Sequence, residues 1–341
     1  MRITDIAKQA GVSPATVSRA LNQPEIVSPD ALARIQAVMQ EHNYVPAPAN
    51  RRRGPKTRQP KLHRIGVWFV GAAANNPNLN WFQDQLLQVQ GANTRYQIDL
   101  KLIFSSSPDE FPRALTQEKL DGLILQGMEP TPSIMQRLQS IPHVWFMTRR
   151  SSDFPGDYVE PDNEENGIIA ARHLHQRGHR AVGVISIDPD YSATVRRVEA
   201  FTAEAVRLGL KTHTILGQPT PGVSYLEISP YNGEIDLLAK RVLEAKPRPT
   251  ALYVPVDHFA GAFFRALRGI GLVPGEKLEV VLGNYNPMIH HNLDHCPAAI
   301  DINLSTLVRK VIDQIVWRIE NPTARGRIGL TVSPVLRPSS P

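Results

Sequence analysis

Within SPATVSRALN, residues 13–22, Ala15, Thr16 and Arg19 share one face of a short helix, turned away from Val12, Val17 and Leu21. A small residue, a hydroxyl and a guanidinium on one exposed helix face suit a surface that reads base edges in a DNA groove. A second set of groups follows: NRRRGPKTRQPKLHR, Asn50 to Arg64, carries seven basic side chains and no acid, which suits a polyanion. No Walker loop, G-x-S-x-G elbow or H-E-x-x-H pair occurs, so no catalytic residue is assigned and no enzyme activity is expected. The run with His290, His291, His295 and Cys296 lacks the paired spacing of a zinc site and reads as a solvated loop. His173, His175 and His179 lie on or just after a helix and need no metal. No cofactor is expected.

The reading face needs a scaffold of three short helices over residues 3–45. Thr4 is placed to cap the first, with Ile6, Ala7 and Ala10 inward, and Gly11 to turn the chain. Ser13 caps the second with Pro14 first, and Ser28 the third with Pro29 first. Ala7, Gly11 and Val17 have the spacing of a helix-turn-helix: a close crossing, a turn and a seal.

Charge along the chain agrees. Up to Arg64 there are eleven Lys/Arg against four acids; the rest is nearly balanced, 27 against 28. The excess positive charge is therefore confined to the first fifth of the chain, with nucleic acid the leading partner and a membrane surface second. No stretch approaches the ~20 apolar residues of a spanning helix. The N-terminus lacks a signal-peptide core, and the single Cys296 fits a reducing compartment, so a cytoplasmic protein is expected.

Beyond residue 64, apolar runs at 65–70, 98–104, 121–125, 143–148, 181–186, 212–216, 251–256 and 279–283 alternate with amphipathic spans. Short buried strands separated by helices predict an α/β body with parallel sheets. Its length of about 270 residues predicts two lobes.

The segment ITDIAKQAGVSPATVSRALNQPEIVSPDALARIQAVMQEHNYVP resembles the DNA-binding headpiece of the lactose-repressor (LacI/GalR) family of transcriptional regulators. The resemblance gives Ala15, Thr16 and Arg19 the base-reading positions, with Arg19 forking onto a guanine O6/N7 pair. It gives Thr4, Ser13, Ser18 and Asn22 the phosphates, although Ser13 and Ser18 serve equally as caps or surface polars. Looser similarity runs through PDNEENGIIAARHLHQRGHRAVGVIS, VRRVEAFTAEAVRLGL, RPTALYVPVDHFAGAFFRALRGIGLVP and AIDINLSTLVRKVIDQIVWRIENP. It implies a periplasmic-binding-protein-like pair of lobes with a small-molecule effector, a sugar or the polar edge of a purine, between them. The implied division is a headpiece at 1–46, a basic linker at 47–64 and an effector and dimerisation domain at 65–341. Crossings near Glu160, Pro287 and Asn321 put the N-lobe at about 65–160 and 287–320, and the C-lobe at about 161–286 and 321–341.

Within the cleft, Arg197 matches the arginine of the family's R-x-x-[GA]-F motif and Asp257 its acid after P-T-A and a strand. A guanidinium and a carboxylate suit vicinal hydroxyls; a plain interlobe ion pair is the competing reading. Trp81 or Phe82 would stack on a ring, and Tyr191 and Tyr231 would line the other wall. Val256 stands where the family usually has Asn, and Asn284 and Asn286 stand in place of acids. Two readings stay open: an effector-controlled homodimer on a near-palindromic operator, and a DNA-bound regulator whose effector site is degenerate and which is controlled by abundance or a protein partner.

The family's hinge helix, N-x-x-A-x-x-L, is not kept. Ala47, Asn50 and Arg53 occupy its Asn, Ala and Leu positions, and Pro48 and Gly54-Pro55 interrupt it. Arg-Arg-Arg-Gly-Pro-Lys resembles an AT-hook, so Arg51, Arg52, Arg53 and Lys56 are expected to contact a minor groove or flanking phosphates in an extended form that is disordered without DNA.

Overall fold

A computed structural model describes residues 2–46, 61–74, 76, 79–92, 96–147, 155–218 and 232–339. The chain divides into two compact units, 1–59 and 60–341. The linker residues Arg51, Arg52, Arg53 and Lys56 lie outside the described residues, as does Tyr231.

In the first unit α1 (Ile3–Ala10), α2 (Pro14–Asn22) and α3 (Pro29–Glu41) surround a small core of Ile6, Ala7, Ala10, Val17, Ala20 and Ile35, with Val12 and Leu21 half-buried against it. Each large aliphatic side chain buried there contributes about 1.5–3 kcal/mol. Thr4 is not the first cap. Asp5 sits where its carboxylate reaches back to accept the Arg2 N–H at 2.8 Å, so Arg2 caps and Thr4 falls inside the helix. Ser13 caps α2, its Oγ accepting from the Thr16 N–H at 3.1 Å. The Ser28 side chain makes no capping bond; Pro29 and Asp30 start α3 without it. Gly11 has φ +66°, and a Cβ there would meet Arg34 Nη1 at 3.3 Å. That guanidinium donates to the Ala10 carbonyl, tying α3 to the end of α1.

The second unit holds two six-stranded sheets. Chain order in its first half is β1 (Leu62–Val70), α4 (Asn80–Ala92), β2 (Gln97–Ser105), α5 (Ala114–Gln117), β3 (Gly122–Gly127), α6 (Pro132–Leu138), β4 (His143–Phe146) and β5 (Asp157–Pro161). There follow α7 (Asn163–Gln176), β6 (Ala181–Ser186), α8 (Ser192–Arg207), β7 (Lys211–Leu216), α9 (Asn232–Glu244), β8 (Ala251–Val254), α10 (Ala260–Gly269), β9 (Glu279–Leu282), α11 (Pro287–His290) and β10 (Ala298–Asp301). The chain ends with α12 (Leu304–Glu320), β11 (Gly329–Val332) and β12 (Val335–Arg337). Strand order is β11-β5-β4-β3-β1-β2 in the N-lobe and β12-β10-β9-β8-β6-β7 in the C-lobe, all parallel except β12 against β10. In sheets of this order ligands bind beyond the carboxyl ends of the strands, where successive crossovers diverge. Those points are β1/β3 in one lobe and β6/β8 in the other.

The lobe boundaries differ from the sequence reading at several points. The first sheet starts at Leu62, inside the stretch read as linker. The second crossing lies at Ile302-Asn303, not near Pro287, because Ala298–Asp301 pairs with β9 and extends the C-lobe sheet before α12 packs on the N-lobe core. The third lies at Ser333-Pro334, not near Asn321, because Gly329–Val332 still pairs with β5. The crossings are tied together: the Asp162 N–H donates to the Val332 carbonyl at 2.9 Å, and Asn303 Nδ2 to the Ser333 carbonyl at 2.7 Å. Asn303 takes φ +56°, a conformation Asn tolerates better than most residues.

Candidate functional site

In the first unit, Ala15 and Arg19 are exposed on α2 and Thr16 is half-buried, its Oγ1 2.8 Å from Ser13 Oγ. The buried Val17 and Ala20 hold the opposite face of the helix. The Arg19 side chain makes no hydrogen bond or ion pair among the described residues, so its fork of donors is available to a partner. Thr4, Ser13, Ser18 and Asn22 are all exposed. The Asn22 amide donates to the Ser18 carbonyl at 2.9 Å, and Ser13 faces the start of α2, whose unpaired N–H groups favour an anion.

In the second unit a cavity of about 110 Å³ opens between the two sheets at the carboxyl ends of their strands. Leu79, Trp81, Phe82, Gln126 and Met147 line it from the N-lobe. Tyr191, Arg197, Val256, Asp257, His258, Asn284 and Asn286 line it from the C-lobe, and Ile302 and Leu304 from the second crossing. Phe82 is buried and packs edge-on against Phe69, which leaves the half-buried Trp81 as the more open aromatic wall. Met147 takes φ +71°, an uncommon conformation for a side chain of its size.

Arg197 and Asp257 do not pair directly. Arg197, 2% exposed, donates from Nε to Asn163 Oδ1 at 2.8 Å and from Nη1 to Asn284 Oδ1 at 2.9 Å, and Nη1 also reaches the Pro255 and Gly283 carbonyls. Asn284 Nδ2 in turn donates to Asp257 Oδ1 at 3.4 Å, and the Asn286 N–H to Asp257 Oδ2 at 3.1 Å. An amide therefore bridges guanidinium and carboxylate, its carbonyl end toward the first and its NH2 end toward the second. The second Arg197 amino group, Nη2, makes no hydrogen bond among the described residues, and the Arg197 side chain lines the cavity. Burial pushes the Arg197 guanidinium below its ordinary value, against the pull of Tyr253, Tyr191 and Asp257. Burial likewise pushes the Asp257 carboxyl up, against His258 and the Asn284 bond. Gly283 leaves room for this approach, since a Cβ there would lie 2.1 Å from the Pro255 carbonyl oxygen.

Several lining residues carried no signal in the sequence. Gln126 lies near the end of β3 and Met147 follows β4, and His258 lies 3.2 Å from the buried Asp188. Asn163, which accepts from Arg197 Nε, also carries no mark of that role in the sequence; Asp162 before it caps α7 at 2.9 Å. His290 is not in a solvated loop as the sequence suggests: it ends α11 and is buried. Among the described residues no group of three or more His, Cys, Asp or Glu is placed to hold a metal ion, and no helix is long and apolar enough to cross a membrane.

A helix-turn-helix unit with an open recognition face, joined to a two-lobed α/β body with a polar cleft at its switch points, defines a DNA-binding regulator with a ligand-binding-protein-like domain. Residues 2–47 match the bacterial regulatory proteins of the lacI family, and residues 171–340 match the periplasmic binding protein-like domain. The chain thus carries a lacI-family helix-turn-helix domain followed by a periplasmic-binding-protein-like domain. It is 26% identical to the ribose operon repressor of Escherichia coli (strain K12) over 97% of each chain. It is also 26% identical to the HTH-type transcriptional repressor PurR of Edwardsiella ictaluri, over 82% of this chain and 79% of that one. A LacI family regulator from Enterococcus faecium solved with bound ribose shares the fold, with a TM-score of 0.64 at 16% identity, over 81% of this chain and 97% of that one.

Proposed function

We propose that this regulator is a cytoplasmic homodimeric repressor that holds a near-palindromic operator through paired α2 faces, and that a single-ring sugar bound between the lobes controls it. The observation that carries the ligand reading is the relay Arg197–Asn284–Asp257 on one wall with Trp81 opposite. The open Nη2 of Arg197 donates to a sugar oxygen, the Asp257 carboxylate accepts from a hydroxyl, and an indole face covers the C–H side of the ring. A cavity of about 110 Å³ favours one ring over a disaccharide or a nucleoside. The replacement of acids by Asn284 and Asn286 does not empty the cleft, because both residues remain bonded to Asp257. A repressor of the ribose operon among the relatives supports the sugar class.

Base reading rests on Ala15, Thr16 and Arg19, phosphate contact on Thr4, Ser13, Ser18 and Asn22, and further DNA contact on Arg51, Arg52, Arg53 and Lys56. The test is thermal unfolding of the full chain against pentoses, hexoses and nucleobases. A binding sugar at one hundred times its Kd stabilises by about 2.7 kcal/mol and shifts operator affinity. No shift with any compound would refute the sugar-controlled reading and leave a regulator governed by its abundance or by a protein partner.

A further inference from the structure

Glu160 is fully buried at the end of β5, on the N-lobe side of the first crossing and in register with Thr331 of β11. It is held from the C-lobe by Arg196, whose Nη1 donates to Oε1 at 2.9 Å and whose Nη2 donates to Oε2. The Arg196 side chain is 11% exposed, and Glu164 lies 3.9 Å from its Nη1. Asn163 Nδ2 also donates to Glu160 Oε2, at 3.3 Å, while Asn163 Oδ1 accepts from Arg197 Nε. A carboxylate only accepts hydrogen bonds, so it turns the NH2 end of the Asn163 amide toward itself and the carbonyl end toward Arg197. Arg197 is thus gripped between two amides, each polarised by a carboxylate on its far side: Glu160 through Asn163 and Asp257 through Asn284.

We propose that Glu160 and Arg196 are positioning residues for the cleft, fixing the Asn163 amide and through it the plane in which Arg197 presents Nη2 to a ligand. Glu160 belongs to one lobe while Asn163, Arg196 and Arg197 belong to the other. The orientation of Arg197 therefore depends on the lobes keeping this arrangement, and ligand affinity depends on it too. Arg196 supplies the counter-charge that a buried carboxylate requires.

The ligand part of the test rests on the sugar-controlled reading; the spectroscopic part does not. Glu160→Gln keeps the shape of the side chain but offers Asn163 either end of an amide, and leaves Arg196 only the more distant Glu164, 3.9 Å away, as counter-charge. The double variant Glu160→Gln/Arg196→Gln removes both charges together and serves if the single variant fails to fold. In 15N-labelled full chain, the Arg197 Nε–H signal, assigned by its loss in Arg197→Lys, should exchange with water at least tenfold faster in these variants than in the wild type. Calorimetric titration with D-ribose should show at least tenfold weaker binding. Adding Asn163→Ala to the double variant should cost little more, because all three changes break one relay. Unchanged Arg197 exchange, or effects of Asn163→Ala and the double variant that simply add, would overturn the proposal. If the wild type binds neither D-ribose nor any other sugar, the sugar reading fails and the exchange measurement alone decides the positioning role.

Discussion

Replacing Arg197 by Met tests the cleft network most directly, because the side chain keeps a similar length and loses every donor. Three oxygens lose a donor that no other described group replaces: Asn163 Oδ1, Asn284 Oδ1 and the Pro255 carbonyl. The Gly283 carbonyl keeps the Asn166 amide at 2.8 Å. Each orphaned buried acceptor costs about 1–3 kcal/mol, offset by the several kcal/mol no longer spent on burying a guanidinium. The net expectation is a loss of about 3–5 kcal/mol. With a urea slope near 3 kcal/mol/M for a body of this size, the midpoint falls by about 1 M or slightly more. The affected partners all sit in the C-lobe, whereas the four tryptophans, Trp68, Trp81, Trp145 and Trp317, lie on N-lobe elements. Circular dichroism should therefore register the loss at lower urea than tryptophan fluorescence if the lobes unfold separately, and together with it if they do not. Arg197→Lys keeps the charge but has no Nε, so it should lose less stability while abolishing the sugar response. A Met variant whose midpoint stayed within about 0.2 M of the wild type would refute the view that Arg197 organises the cleft.

Arg19→Ala should cost about 1–3 kcal/mol at one base pair of the operator and leave affinity for random DNA little changed, as read by competition binding. Replacing Arg51, Arg52, Arg53 and Lys56 by Ser should weaken binding to all sequences and flatten the log K against log salt slope by up to about 3.6 if all four meet phosphates. His290 is held down at about 4 by burial, reinforced by His291. The unfolded chain takes up that proton near pH 6.5, so the stabilisation is fully present above about 6.5 and falls away toward pH 4, by on the order of 3 kcal/mol. His290→Leu should flatten urea midpoints across that window. Trp81→Ala should weaken sugar binding by calorimetry without moving operator affinity in the absence of sugar.

What was legible in the sequence was whatever short-range chemistry specifies. The headpiece was readable because Ser13, Pro14, Gly11 and the inward Ala7 and Val17 lie close together along the chain, each within about one turn of the next. The central strands were readable because both their faces are buried, which makes each a continuous apolar run. β5 was missed because Asp157 and Glu160 break its apolar pattern, and only distant partners neutralise them: Arg318 and Gln314 for the first, Arg196 for the second. β11 and β12 were missed because their half-exposed pattern is that of edge strands. The crossings followed from those omissions. Arg197, Asp257 and Asn284 were found through motif resemblance, whereas Asn163 and Glu160 matter only through a fold that brings together residues more than thirty positions apart.

Asn284 and Asn286 give this wall of the cleft its chemical character. A carboxylate at position 284 would stand about 3.4 Å from Asp257, a separation at which two like charges repel by about 5 kcal/mol even at an effective dielectric constant of 20. Such a pair holds a proton or demands a second cation from its ligand. Asn284 removes that demand. Its amide satisfies Arg197 and Asp257 at once without adding charge, so the two charges on this wall balance, which supports the proposed hydroxyl-bearing ligand over an ionic one. The same logic governs Asn163 on the other side of Arg197, where Glu160 is balanced by Arg196. A neutral polyol gains most from a wall built this way, because its hydroxyls meet fixed donors and acceptors that need no rearrangement on binding.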